Sequence, residues 1–194
     1  MDAAKQTLQF IRTLQPGDQL IALVSGGGSS LLTLPAEGLT IDDLRMTTQA
    51  LLRSGAPIGE MNVVRKHLSA ILGGHMAREA TLRGARVDAF LISDVTGDDP
   101  SSIASGPCAP DSSTFSDALA ILSHYGLNER QVPVSVMKYL QEGVQGKHPE
   151  TPKHGDAIFE ATHNHLLASA HASLEAAARY CERAGVRPVI LGDT

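Results

Sequence analysis

Apolar residues at Ala4, Leu8, Ile11 and Leu14 recur with the spacing of one helical face, and Pro16-Gly17 stops the run. The next apolar stretch, Leu20 to Val24, is continuous rather than periodic and breaks at Ser25-Gly26-Gly27-Gly28-Ser29. Such a run predicts a strand buried on both faces. Thr40, with Asp43 three residues on, predicts a capped helix whose inner stripe is Ile41, Leu44, Thr48, Leu51 and Leu52. After the Ser54-Gly55-Ala56-Pro57 break, Ile58 to Leu72 reads as a second helix, with Ile58, Met61, Val64, Leu68 and Ile71 inside and Gly73-Gly74 at its end. Val87 to Ile92 is a second strand of buried character, running into the acidic loop Ser93 to Pro100 and then Ser105-Gly106-Pro107. Phe115, Ala118, Leu119 and Leu122 mark a further helix, and Gly143 to Asp156 is a polar stretch with the character of a linker. His165 to Ser169 reads as a third strand. Leu174, Ala177, Ala178 and Cys181 mark a helix closed by Gly185, and Val189-Ile190-Leu191 a last strand.

Strands alternating with helices predict an α/β fold: three layers, Rossmann-like, a mostly parallel sheet with helices on both faces. The 194 residues suit a single domain, and the stop at Gly192-Asp193-Thr194, directly after a strand, gives the chain a truncated look.

Composition narrows the function classes. A net charge of −5 argues against sequence-independent nucleic-acid binding. Apolar runs are too short to span a bilayer, and the N-terminus lacks the basic and apolar regions of a signal peptide. A soluble, cytoplasmic protein is therefore expected. The two cysteines, Cys108 and Cys181, form no framework and read as small packed residues.

In open α/β sheets, ligands gather beyond the carboxyl ends of the strands, where two unusual segments fall. The first is Ser25, Gly26, Gly27, Gly28 and Ser29. Its glycines let several backbone N–H groups aim at one anion, with a following helix N-terminus adding its dipole. It is neither a P-loop, lacking Gly-Lys-Ser/Thr, nor the dinucleotide fingerprint, and a plain tight turn is the competing reading. Nor is it a hydrolase elbow, because Leu31 stands where that motif needs glycine. The second segment holds Asp94, Asp98 and Asp99. These carboxylates suit Mg²⁺, or alternatively cap a solvated turn. On the second helix, Asn62, Lys66 and Ser69 share a face with Arg65 adjacent, so Arg65 and Lys66 are candidate neutralisers of phosphoryl or carboxylate oxygens. His67 reads as packing, and His163 and His165 lack a supporting ligand for a metal.

Three segments taken together, LVSGGGSSLLTLP, MNVVRKHLSAILGGHMA and LISDVTGDDPSSIASGPCAPD, resemble the glycerate 2-kinase (class II glycerate kinase) family, some of whose members are labelled hydroxypyruvate reductase. The similarity runs from about Gln19 to Asp193. It implies ATP-dependent phosphorylation of D-glycerate at its 2-hydroxyl to 2-phosphoglycerate, with Mg²⁺ or a similar divalent cation. It also implies a Rossmann-like N-terminal domain and a smaller C-terminal one with the active site between them. The chain then corresponds to the central part of the N-terminal domain, residues 1–194 forming one partial domain, with an upstream Gly-x-Gly-Lys-type segment and the C-terminal domain lying outside it. On this resemblance the glycine loop, Asn62 and Arg65 bind substrate or phosphate, Lys66 and Asp94 are catalytic, and Asp94 with Asp98 hold the metal. The expected partners are ATP and D-glycerate, with no nucleic acid or membrane, and homo-oligomerisation stays open. Departures from the family pattern fall at Leu72, where lysine is usual, and at His75, Thr96, Cys108 and Ala170.

Two alternatives compete with the kinase. One is an NAD(P)H-dependent hydroxypyruvate reductase, which the missing dinucleotide loop disfavours. The other is a non-catalytic remnant that binds an anion.

Overall fold

The computed structural model describes residues 2–192. In chain order these form α1 (Asp2–Ile11), β1 (Gln19–Ser25), α2 (Gly28–Leu31), α3 (Ile41–Ser54), α4 (Ile58–His67), α5 (His75–Thr81) and β2 (Arg86–Ile92). There follow α6 (Phe115–His124), α7 (Val134–Val144), β3 (Thr162–Ala168) and α8 (Ala170–Arg183), with short 3-10 turns at Ile103–Ser105 and Ala157–Ala161.

The strands lie in the order β1-β2-β3 and both pairings are parallel. Gln19 pairs with Arg86 and Ser25 with Ile92, so β1 and β2 end level and their following loops leave the same edge of the sheet. One sheet face packs Leu20, Ala22, Val87, Ala89 and Leu91 against Leu8 and Ile11 of α1 and Met76, Ala77 and Ala80 of α5. Burying each large aliphatic residue there stabilises the fold by about 1.5–3 kcal/mol. The opposite face differs from the expectation of double burial: Ile21 is 59% and Leu23 80% exposed. β1 therefore alternates between the core and an open side.

A second core gathers the helices. Leu51 of α3, Val64 of α4, Phe115 and Leu122 of α6 and Val136 and Leu140 of α7 enclose one another. Thr40 caps α3 as its sequence predicts: its hydroxyl accepts from the Asp43 amide at 3.1 Å while the Asp43 carboxylate accepts from the Thr40 amide at 2.8 Å. Thr114 and Asp117 repeat the device on α6. The buried stripe of α3 is rotated from the predicted one, with Thr47, Ala50 and Leu51 inside and Ile41 and Leu52 exposed, because α4 and α7 both press on that side.

Other expectations need correction. The helix predicted to reach Leu72 stops at His67. Ser69 then accepts hydrogen bonds from the amides of Ile71 and Leu72, at 3.2 and 3.1 Å, and turns the chain toward α5. The Gly143–Asp156 stretch is no linker: Thr151 is buried, and the Pro152 carbonyl accepts from the Asp111 amide at 2.8 Å. No strand forms at Val189-Ile190-Leu191, which pairs with nothing among the described residues. Helices α5 and α7 were not anticipated. Three of the four residues of the expected α8 stripe, Leu174, Ala178 and Cys181, are half-buried, and Ala177 is exposed.

Candidate functional site

The glycine loop leaves the carboxyl end of β1, where the Gly26 amide still bonds the Ile92 carbonyl of β2 at 3.2 Å. Gly27 then turns through φ 75°, a left-handed conformation that glycine adopts without strain. Among the described residues, the amides of Gly27, Gly28 and Ser29 have no hydrogen-bond acceptor. They are donors without acceptors, on a loop only partly covered by protein. The helix that follows, α2, is a single turn of four residues, so the helix dipole expected from the sequence adds little here.

Two carboxyl-end loops meet at Gly26. The Asp94 carboxylate lies over its Cα so closely that an ideal Cβ there would come within 1.9 Å of Asp94 Cγ. Asp94 itself is exposed and has no hydrogen-bond or ion-pair partner among the described residues. Asp98 stands further along the loop with φ 52°. Asp99 closes the turn, accepting from the Ser101 amide at 3.0 Å and the Ser102 hydroxyl at 2.9 Å. Burial works against its ionisation, but these bonds outweigh it and hold the Asp99 carboxyl below its ordinary range.

From the other side comes α4. Arg65 donates to the Ser29 hydroxyl at 3.3 Å and carbonyl at 3.5 Å, and to the Asn62 side-chain oxygen at 3.2 Å. Among the described residues it has no carboxylate partner. Burial alone pushes the guanidinium below its ordinary value. A half-buried cation without a counter-ion is a place where an anion gains more than it would in water.

The sequence did not single out the residue that steadies this arrangement. Asn62 Oδ1 also accepts from the Ser105 hydroxyl at 3.3 Å. Ser105 sits in a run of three left-handed residues, Ala104 (φ 49°), Ser105 (φ 57°) and Gly106 (φ 57°). Each non-glycine residue held there is strained by about 1–3 kcal/mol. The run is pinned from α5 and its approach: the Ser105 carbonyl accepts from Gly73 at 3.0 Å and the Gly106 carbonyl from Gly74 at 2.7 Å. The Ser105-Gly106-Pro107 sequence was the visible signal, but its partners lie far away in the chain.

Lys66 does not join Arg65 at the loop. Adjacent residues on a helix diverge by about 100°, and Lys66 turns into the protein. It is only 7% exposed, and its ammonium lies 2.7 Å from Asp111, itself 1% exposed. Asp111 is further held by the Thr151 hydroxyl at 3.0 Å and the Ser113 hydroxyl at 2.7 Å. Burial opposes ionisation of Asp111, but the Lys66 hydrogen bond and charge prevail and keep its carboxyl low. Around this pair, Lys153 donates to Thr151 at 2.7 Å and to the Ser113 carbonyl, and Glu150 accepts from both His67 at 3.1 Å and the Phe115 amide at 2.8 Å. His67 is buried packing, as expected. Ser69 is likewise structural.

No group of three or more His, Cys, Asp or Glu able to hold a metal occurs among the described residues. His165 bonds Asp88 at 2.9 Å and stacks on Phe90. Cys108 is buried, and burial pushes its thiol up to about 12, so it is inert packing. No helix among the described residues is long and apolar enough to cross a membrane.

With this geometry in place, residues 1–141 match the family model described as Domain of unknown function (DUF4147). The chain belongs to that family. Within it, the chain is 49% identical over 191 residues to an Agrobacterium vitis protein provisionally named hydroxypyruvate reductase, covering 98% of this chain and 41% of that protein. It is 41% identical to a glycerate 2-kinase of Pyrococcus horikoshii, over 98% of this chain and 42% of the relative. A solved structure of a Thermotoga maritima glycerate kinase (EC 2.7.1.31) superposes with TM-score 0.79 at 38% identity, over 95% of this chain and 41% of that one. That superposition supports the α/β fold. The chain spans about two fifths of the length of the relatives it matches.

Proposed function

We propose that the chain carries the nucleotide- and substrate-facing part of a glycerate 2-kinase, transferring the γ-phosphoryl group of ATP to the 2-hydroxyl of D-glycerate. The observation that carries this reading is Arg65: a half-buried guanidinium with no carboxylate partner, bonded to a loop whose amides at Gly27, Gly28 and Ser29 lack acceptors. Names borne by relatives at 41% and 38% identity support it.

Phosphoryl transfer asks a protein mainly to align the reacting oxygens and neutralise the charge on the moving group. The amides and Arg65 receive the phosphoryl or carboxylate oxygens, and Asn62, anchored by Ser105, fixes the guanidinium plane. Asp94, across Gly26, accepts the proton of the 2-hydroxyl. Asp98, with phosphate oxygens, fits a Mg²⁺ brought by the nucleotide, since that ion needs only one or two carboxylates alongside them. The ion would add positive charge against the phosphate oxygens. The Lys66–Asp111 pair positions α4 and touches no substrate.

The test replaces the matching segment of the Thermotoga enzyme with this chain. Phosphoglycerate formation from ATP and D-glycerate is then followed alongside NAD(P)H oxidation with hydroxypyruvate. The expected result is phosphoglycerate, lost on Arg65→Met with folding intact. A folded chimaera that only oxidises NAD(P)H establishes the reductase instead, and one that does neither establishes the non-catalytic reading.

A further inference from the structure

Beside the glycine loop, α2, α3 and α4 line a half-open cavity of about 430 Å³. Its apolar wall is Ile41, Leu44, Val64, Leu68 and Leu72, and Thr48 and Gln49 add a hydroxyl and an amide. At one end stand Ser30 and Arg65, the same Arg65 whose guanidinium bonds Ser29. A three-carbon hydroxy acid is nearly all polar oxygen, and such walls would strip its hydration without replacing it. The size and lining instead match sites for larger ligands, in which apolar walls take a flat ring and a few polar groups orient it. The charged residues lining it, Arg45 and Arg65, are both cations. Arg45 is already paired with Asp42 at 3.0 Å, whereas Arg65 has no such partner, so the uncompensated positive charge lies at the end nearest the loop.

We infer that this cavity takes the nucleoside of a purine nucleotide, with the phosphate chain running past Arg65 to the amides of Gly27, Gly28 and Ser29. The inference rests on the kinase reading and assigns its nucleotide subsite. Base and ribose sit against the wall formed by α3 and α4, Thr48 and Gln49 offer hydrogen bonds to their polar edges, and Arg65 is the hinge between the neutral and anionic halves of the ligand.

Calorimetric titration of this chain with adenosine, ATP and tripolyphosphate separates the two halves. Thr48→Met fills the cavity without adding charge, and Ile41→Gln, at an exposed position, places an amide on the apolar wall with little risk to folding. Thr48→Met is expected to weaken adenosine and ATP about tenfold and to leave tripolyphosphate unchanged. Ile41→Gln acts in the same direction by a smaller factor. Arg65→Met is expected to do the reverse, weakening tripolyphosphate and ATP while sparing adenosine. The inference is overturned if adenosine does not bind, or if it binds both cavity variants as tightly as the parent while their thermal melts match it. Tripolyphosphate binding that depends on Arg65, without adenosine binding, removes the nucleoside subsite alone. Absence of both removes the anion loop as well.

Discussion

The Asp94 carboxylate fills the space that a side chain on Gly26 would require, with 1.9 Å between an ideal Cβ and Asp94 Cγ. No pair of real atoms survives that approach, so Gly26→Ala must expel Asp94. By contrast, a Cβ on Gly28 would meet Ala104 Cβ at 3.3 Å, a contact relieved by a small shift. We expect Gly26→Ala in the Thermotoga chimaera to lower kcat by at least about two orders of magnitude, the scale of a lost general base. Gly28→Ala should have a far weaker effect. If Gly26→Ala retains full turnover, Asp94 has no role in the chemistry.

Lys66 and Asp111 are both buried and hold each other at 2.7 Å. Removing one partner strands the other as an uncompensated charge, typically destabilising by about 3–5 kcal/mol. Lys66→Met and Asp111→Leu are each expected to reduce the urea midpoint sharply, while the double variant regains much of the loss. Additive losses in the double-mutant cycle would show that the pair carries no coupling. The same measurement separates this role from catalysis, because a catalytic lysine would lower turnover without lowering the midpoint.

The contrast between Arg65 and Lys66 marks what the sequence could and could not show. Helix caps and strand ends are written in neighbouring residues, which is why Thr40 with Asp43, and the breaks at Gly26 and Ser93, were legible. The glycine loop and the acidic loop were found the same way, each at a strand end. Which of two adjacent cations faces the loop depends on what lies on either side of α4. That is settled by Asp111 and Thr151, two segments distant in the chain. Ser105 escaped notice for the same reason, its partner Asn62 being remote. The open face of β1 was misjudged because an apolar run records what a strand can tolerate on each side, and not what covers it.

Gly143 lies within α7, where alanine normally stabilises by about 0.8–1 kcal/mol over glycine. Here the helix runs against the ring of Phe115, and an ideal Cβ at 143 would come 2.4 Å from Phe115 Cγ. Phe115 is fully buried among α4, α6 and α7 and has no room to retreat. Overpacking of about 1–3 kcal/mol should outweigh the gain in propensity. Gly143→Ala is therefore expected to lower Tm by several degrees, and adding Phe115→Leu should recover part of the loss. A rise in Tm on Gly143→Ala alone would mean that α7 does not pack this closely.

His75, at the start of α5, has a buried Nδ1 with no hydrogen-bond partner. Burial, with the positive charge of Arg78 and His67 nearby, drives its imidazole from an ordinary 6.5 to about 3. The sign follows from linkage. Below pH 6.5 the unfolded chain takes up a proton that the folded chain refuses, so this contribution to stability is complete above that pH. It falls by up to about 1.4 kcal/mol per pH unit on acidification, until the folded form also protonates near 3. Asp43, Asp99 and Asp111 also have lowered values, but their ordinary value is 3.8, so their losses are concentrated below about pH 4. Glu79, which burial opposes but hydrogen bonds from Arg83 and Arg12 hold below an ordinary 4.5, begins to lose its share slightly higher, so the histidine can be read separately between pH 6.5 and about 5. Urea midpoints of the parent and of His75→Gln, measured across that window, should diverge, the variant declining less steeply by close to one proton. Parallel declines would show that His75 protonates in place, and that the pocket around Arg78 and His67 admits the charge.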